Sequence, residues 1–220
     1  MSLKESQPSV TLRGSTEVVS DFFVYSVNSI LYQRGIYPAE QFSRVNKYGL
    51  TILVTTDDEL NKYLHSVLGQ LKGIKYLNFR LHLKLYLLIE WTLQCKVQKL
   101  VLVICSVETG KVLERWQFNI EIESNKENDN SNSDSDEKQV VSQIQAVIRQ
   151  ITASVTFLPL LDEPCTFDML IYTDIDVQVP ETWEESDPKI IINQKEVKLR
   201  SFTTKVHKVE TVVSYAADTH

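Results

Sequence analysis

Cys165-Thr-Phe-Asp-Met-Leu-Ile-Tyr-Thr173 alternates like a strand, and a second alternating run, Val197 to Tyr215, follows only after a long connection through Val177 to Gln194. That connection carries Pro180, Trp183, Glu184, Glu185 and Pro188, so it has bulky apolar residues where a flexible linker would have glycine and serine. The C-terminal quarter therefore reads as a segment that packs, and that could pack in more than one place.

Upstream, the apolar spacing of Val19, Phe22, Phe23, Val27, Ile30 and Leu31 predicts a helix over Leu12 to Gly35, with Ser15 as its cap and Gly35 and Pro38 ending it. Tyr48 to Thr55 is strand-like. Thr56-Asp57-Asp58-Glu59 has the form of a capping box opening a second helix, whose apolar side is Leu60, Tyr63, Leu64, Val67, Leu68 and Leu71. Val97 to Cys105 is nearly all apolar, as a strand buried on both faces would be, and a Glu108-Thr109-Gly110-Lys111 turn follows. Its hairpin partner places Val112, Glu114, Trp116, Phe118, Ile120 and Ile122 on one face, with Glu114 the polar exception.

Glu123 to Glu137 is Asn, Ser, Asp and Glu with almost nothing apolar, which predicts a loop; Ser131 and Ser133 there each precede an Asp by three positions, as acidophilic kinases favour. Val140, Ile144, Val147, Ile148, Ile151 and Val155 make the stripe of a third helix that Pro159 must end. Helices alternating with short strands, joined by hairpin turns, give an α+β fold: a largely antiparallel sheet with three helices on one face.

Composition excludes several functions. A net charge of −6 over 220 residues, without a clustered Lys/Arg surface, argues against nucleic acid as a partner. The most lipophilic stretch, Ile74 to Ile89, contains Lys75, Arg80, His82 and Lys84 and is too short and too charged to span a bilayer, and Met1 to Leu12 lacks the apolar core of a secretory signal. Cys95, Cys105 and Cys165 are widely spaced, so neither a disulfide framework nor a zinc knuckle is indicated, and the compartment is expected to be reducing. The chain has no phosphate-cradling glycine loop, no HExxH and no GxSxG, and His65, His82, His207 and His220 are far apart. A binding protein without cofactor, metal or catalytic residues is expected.

Five tracts carry a family resemblance: Ser29-Ile-Leu-Tyr-Gln-Arg-Gly-Ile-Tyr-Pro38, Val112-Leu-Glu-Arg-Trp-Gln-Phe118, Ile148 to Leu161, Trp183-Glu-Glu-Ser186 and Leu199-Arg-Ser-Phe-Thr-Thr204. Together they resemble the spindle-checkpoint branch of the HORMA-domain family over about Val10 to Tyr215. The translesion-polymerase HORMA adaptor of DNA repair is the alternative, and it lacks the Trp183 to Ser186 and Arg200 to Thr204 tracts.

The resemblance implies a single HORMA domain with a core over about 10–176 and a mobile C-terminal "safety belt" over about 177–215 that moves between two edges of the sheet. In the closed state the belt encircles a partner peptide that has joined the sheet as a strand. Phe167, Met169, Trp183, Val197, Leu199 and Phe202 are the implied belt and peptide residues, and Arg149, Gln150 and Phe157 the implied self-association and adaptor surface. The implied partners are the activator of the anaphase-promoting complex, a coiled-coil checkpoint receptor at kinetochores, a checkpoint-silencing HORMA adaptor with its AAA+ remodeller, and a second copy in an open–closed dimer. The implied location is nucleus and cytoplasm, with kinetochores in mitosis.

Gly73 to Ile89 has no counterpart in the family pattern. Its alternation of Phe79, Leu81, Leu83, Leu85 and Leu87 with Asn78, Arg80, His82 and Lys84 has strand period, yet it interrupts a helix between Lys72 and Glu90. Without it, Trp91 and Cys95 fall on the apolar stripe begun by Leu71. The codons for Gly73 and Ile89 to Glu90 can supply an intron's GT and AG. The stretch reads as a retained intron or gene-model artefact, with an edge hairpin or partner-binding loop as the alternative. Transcript sequenced from dividing tissue should lack codons 73–89; their presence in most transcripts would establish a translated insertion.

Overall fold

The computed structural model describes residues 12–64, 97–123, 133–174 and 186–217. In chain order these give α1 (Leu12–Gln33), the hairpin β1 (Phe42–Lys47) and β2 (Leu50–Thr55), a helical segment α2 (58–64), β3 (Val97–Ser106), β4 (Val112–Ile122), α3 (Ser133–Ala153), β5 (Cys165–Thr173), β6 (Gln194–Thr203) and β7 (His207–Ala216). The expectations for Gly73 to Ile89, Trp183, Cys95, His65, His82 and His220, and for Val67, Leu68 and Leu71 of the second helix, lie outside the described residues.

Five strands form one antiparallel sheet in the order β5-β3-β4-β7-β6, and β1 and β2 form a separate antiparallel pair. β3 sits inside the sheet with both faces covered, and every residue from Leu100 to Ser106 is buried, so its continuous apolar run has the cause assigned to it. One face of the sheet packs on α1 and α3. There Phe22 of α1 meets Phe118 of β4 edge-on at 5.8 Å and Phe202 of β6 at 4.7 Å, with Val27, Ile30, Leu31, Trp116, Ile144, Val147 and Val213 in the same buried cluster. The opposite face has a smaller buried cluster of Val101, Val103 and Cys105.

Glu114, the polar residue on the apolar face of β4, is 1 % exposed and pairs with Arg34, which follows α1; Arg34 also donates to the Pro159 carbonyl at 2.5 Å. Trp116 Nε1 donates to the second Glu114 oxygen at 3.2 Å. One carboxylate thus ties the end of α1, the chain after α3 and the sheet together. Burial pushes the Glu114 carboxyl above its ordinary value, and Arg34 and Trp116 draw it part of the way back.

Several local expectations are corrected. α1 begins at Leu12, so Ser15 is inside the helix rather than its cap; its buried hydroxyl bonds Thr204 Oγ1 at 2.5 Å and His207 Nδ1 at 2.7 Å. The strand expected over Tyr48 to Thr55 starts at Leu50, because Tyr48 and Gly49 adopt positive φ (52° and 67°) and turn the β1–β2 hairpin. Asp57, not Thr56, caps the second helix, accepting from Leu60 N–H at 2.7 Å. Ser133 to Glu137 is helix rather than loop, because acidic residues there complement the helix N-terminus. α3 stops at Ala153 in a short 3-10 turn over Ser154–Thr156, which carries Val155 out of the stripe and leaves it 42 % exposed. A bulge at Ile104/Cys105 moves Val112 to the second face, against the Cys105 cluster, and Ile122 at the far end of β4 is exposed. The run Val197 to Tyr215 is two paired strands with a turn at 204–206.

Arg34→Met should cost about 3–5 kcal/mol at neutral pH by stranding the Glu114 carboxylate, and Glu114→Gln in the same chain should recover much of it. A carboxyl raised in the folded state binds its proton more readily folded than unfolded. Its stability contribution is therefore full below the unfolded pKa and lost as pH rises through the folded one. The Arg34→Met deficit should accordingly be smaller at pH 5 than at pH 7.5; equal deficits in denaturant titrations at the two pH values would exclude a stranded charge.

Candidate functional site

β5 is an edge strand. Among the described residues, no strand pairs with its outer side, while β3 occupies its inner side from Cys165 to Thr173. The C-terminal hairpin β6–β7 closes the opposite edge: β7 pairs with β4 from Glu114↔Tyr215 to Ile122↔His207, and β6 lies outside it. Four inter-strand steps of about 4.8 Å separate β5 from β6, roughly 19 Å. The expected site residues thus fall in two places, with Phe167 and Met169 on the open edge and Val197, Leu199 and Phe202 on the hairpin.

At the open edge, Met169 N–H donates to the Asp168 carboxylate at 2.8 Å. Tyr63 of α2 stands beside this group, hydrogen-bonded to the Met169 backbone and to Asp168, and its hydroxyl is pushed up to about 12, first by burial and then by the Asp168 charge. The Tyr63 ring packs edge-on against Phe167 at 5.5 Å, and Phe167 packs edge-on against Tyr37 at 6.1 Å. An aromatic strip of Tyr37, Phe167 and Tyr63 therefore lies along a strand whose Met169 N–H is held by side chains. Sequence reasoning placed Tyr63 in the helical stripe but missed its place at the edge, because the contact depends on tertiary packing.

The connection re-enters at the head of the sheet. Ile191 is buried while Ile190 and Ile192 are exposed, and Lys189 lies close enough to lower the Cys105 thiol electrostatically, against the larger upward push of burial. Cys105 belongs to the cluster on the face away from the helices, so Lys189 lies toward the sheet's second face. Lys189 and Asn193 both have positive φ (49° and 57°), a conformation that asparagine tolerates better than lysine. The Cys105 and Cys165 thiols are both raised by burial, the opposite of nucleophile activation.

The hairpin is fixed at its turn and its face. Thr204 Oγ1 accepts from His207 N–H at 2.8 Å and Val206 N–H at 3.3 Å and contacts Ser15 of α1, so the turn is tied to the first helix. Leu199 and Phe202 are buried in the main core, and Val197 is partly buried against it. Of the expected self-association residues, Arg149 is exposed at the end of α3 and borders a cavity of about 340 Å³ shared with Ser29, Tyr32, Leu53 and Thr152. Phe157 is 42 % exposed just beyond the helix. Gln150 turns inward and accepts a hydrogen bond from Arg200 N–H at 2.6 Å.

The fold has counterparts in known proteins. The HORMA domain model matches residues 15–207. The mitotic spindle assembly checkpoint protein MAD2A of Homo sapiens is 54 % identical over 206 residues, covering 94 % of this chain and 92 % of that protein. A chain in the crystal structure of a mitotic checkpoint complex superposes with a TM-score of 0.79 at 46 % identity, covering 93 % of this chain and 99 % of that one. The MAD2B protein of Gallus gallus is more distant, at 27 % over 161 residues, covering 71 % of this chain and 64 % of that protein. An open strand edge at one side of the sheet, a C-terminal hairpin at the other and these likenesses together place the chain in the HORMA-domain family.

Proposed function

We propose that the chain is a spindle-assembly-checkpoint protein that captures partner peptides by strand addition and delays anaphase by sequestering the activator of the anaphase-promoting complex. The observation that carries this reading is the outer edge of β5, unpaired by any strand among the described residues, in a sheet whose C-terminal hairpin is docked at the opposite edge. An extended peptide gains backbone hydrogen bonds along such an edge, and the Tyr37–Phe167–Tyr63 strip offers apolar contact for its alternate side chains. Asp168 and Tyr63 yield the Met169 N–H to the incoming carbonyl. The likeness to a chain of a mitotic checkpoint complex supports the same assignment.

The belt, with Trp183 as anchor, encircles the captured strand, so release waits for belt residues to unpair. The chain acts by binding rather than catalysis, in nucleus and cytoplasm and at kinetochores in mitosis. Its further partners are the coiled-coil kinetochore receptor, the silencing HORMA adaptor with its AAA+ remodeller, and a second copy meeting it through Arg149, Gln150 and Phe157.

A fluorescein-labelled peptide from the activator's capture segment should co-elute with the chain in gel filtration, and the same peptide N-methylated at alternate residues should not. Equal capture of the two would show that binding does not use strand addition. Arg149→Ala should convert dimer to monomer in analytical ultracentrifugation; an unchanged dimer would remove Arg149 from the self-association surface.

A further inference from the structure

The outer edge of β6 is the second edge of the five-stranded sheet, and among the described residues α3 rather than a strand attends to it. Gln150 Oε1 accepts from Arg200 N–H at 2.6 Å, and Gln143 Oε1 accepts from Thr203 N–H at 2.9 Å. The two glutamines lie two turns apart on one helix face, about 10.5 Å along the axis. Arg200 and Thr203 lie three residues apart in β6, about 10 Å along a strand. Residues three apart in a regular strand direct their N–H groups to opposite sides. The bulge between Lys198 and Ser201 shifts that phase, and so brings both N–H groups to face the helix.

We propose that Gln143 and Gln150 are a side-chain latch that positions the C-terminal hairpin at this edge and so sets how long a captured peptide is retained. This rests on the peptide-capture reading for its second part only. A side-chain amide is well suited to a strand that must sometimes leave. It satisfies an edge N–H without the continuous ladder of a paired strand, and each bond opens singly. Lys195, Glu196 and Lys198 along the rest of β6 discourage a foreign strand there, so the latch and the charges together hold the edge without closing it permanently. Leu199 and Phe202 supply the apolar burial of the hairpin, while the glutamines fix its register against α3.

The test uses the full chain at a dilution where it is monomeric. In Gln143→Ala/Gln150→Ala, which keeps good helix-forming residues in α3, amide hydrogen exchange at Arg200 and Thr203 should be about ten-fold faster, the response to losing two ordinary hydrogen bonds together. Exchange at Leu100 to Val103 should not change. Gln143→Glu/Gln150→Glu, which keeps both acceptor oxygens, should restore most of the protection, and Gln143→Ala alone, outside the self-association surface, should speed Thr203. The labelled activator peptide should leave the loaded Ala variant about ten-fold faster than the loaded wild type. Unchanged exchange at Arg200 and Thr203 would overturn the latch whatever the peptide does. Faster exchange with an unchanged release rate would overturn its part in retention, whereas failure of the wild-type chain to take up peptide would count against the capture reading and leave the exchange result to decide the latch.

Discussion

Buried or half-buried backbone N–H and C=O groups must find partners, and a five-stranded open sheet leaves two rows of them at its edges. The C-terminal hairpin covers only one side of the sheet, so in the arrangement in which β7 pairs with β4 no strand among the described residues pairs with the outer side of β5. The molecule answers the two edges differently. At β6 it uses glutamines from α3; at β5 it uses Asp168 and Tyr63 on a single N–H, beside an aromatic strip. Both substitutes are side chains, which can swing away, and this distinguishes a sheet prepared to accept a strand from one sealed against it.

The rest of the fold keeps that sheet rigid enough for an edge to be a binding surface. Arg34, Glu114 and Trp116 join α1, the chain after α3 and β4 through one carboxylate, deep in a cluster where Phe22 touches rings from β4 and β6. Phe202 belongs to that same cluster, so the hairpin's hold on the core is apolar while its hold on its neighbours is polar. Loss of the hairpin from this edge would uncover Trp116 and Phe118 on one side and leave β4 paired only with β3. Any second position for the hairpin has to offset that exposure by burying Leu199, Phe202 and Val209 elsewhere.

What was legible in the sequence was what periodicity controls. β3's near-continuous apolar run, the alternation of β4 around Trp116, the stripe of α3 and the strand Cys165–Thr173 all followed from spacing alone. The misses share a cause. Ser15 looked like a cap because serine before an apolar stripe usually is one, but its hydroxyl is bonded to a turn 189 residues away. Thr56 lost the cap to Asp57 by one position, and Glu114 broke an apolar pattern because its partner Arg34 is 80 residues distant. Tyr63 and Gln150 matter through contacts that no local pattern encodes. For the candidate site, the open edge and the hairpin were expected from the family resemblance, whereas the side chains that tend each edge became visible only with the packing.

Arg149 and Gln150 show how closely the two kinds of surface are set. They are consecutive on α3, so about 100° of helix rotation separates them. Arg149 points to solvent beside a cavity formed with α1 and β2, and Gln150 holds the backbone of the hairpin. A contact made at Arg149 would therefore lie one residue from the hydrogen bond that Gln150 makes to β6, on a helix whose buried face, Ile144, Val147, Ile148 and Ile151, resists tilting. A rigid helix cannot absorb a push at one side chain by bending, and the softest response left to it is a change of rotamer at the neighbouring glutamine. At the end of α3 the proposed docking residue and the proposed latch residue are thus consecutive, joined by a single peptide unit.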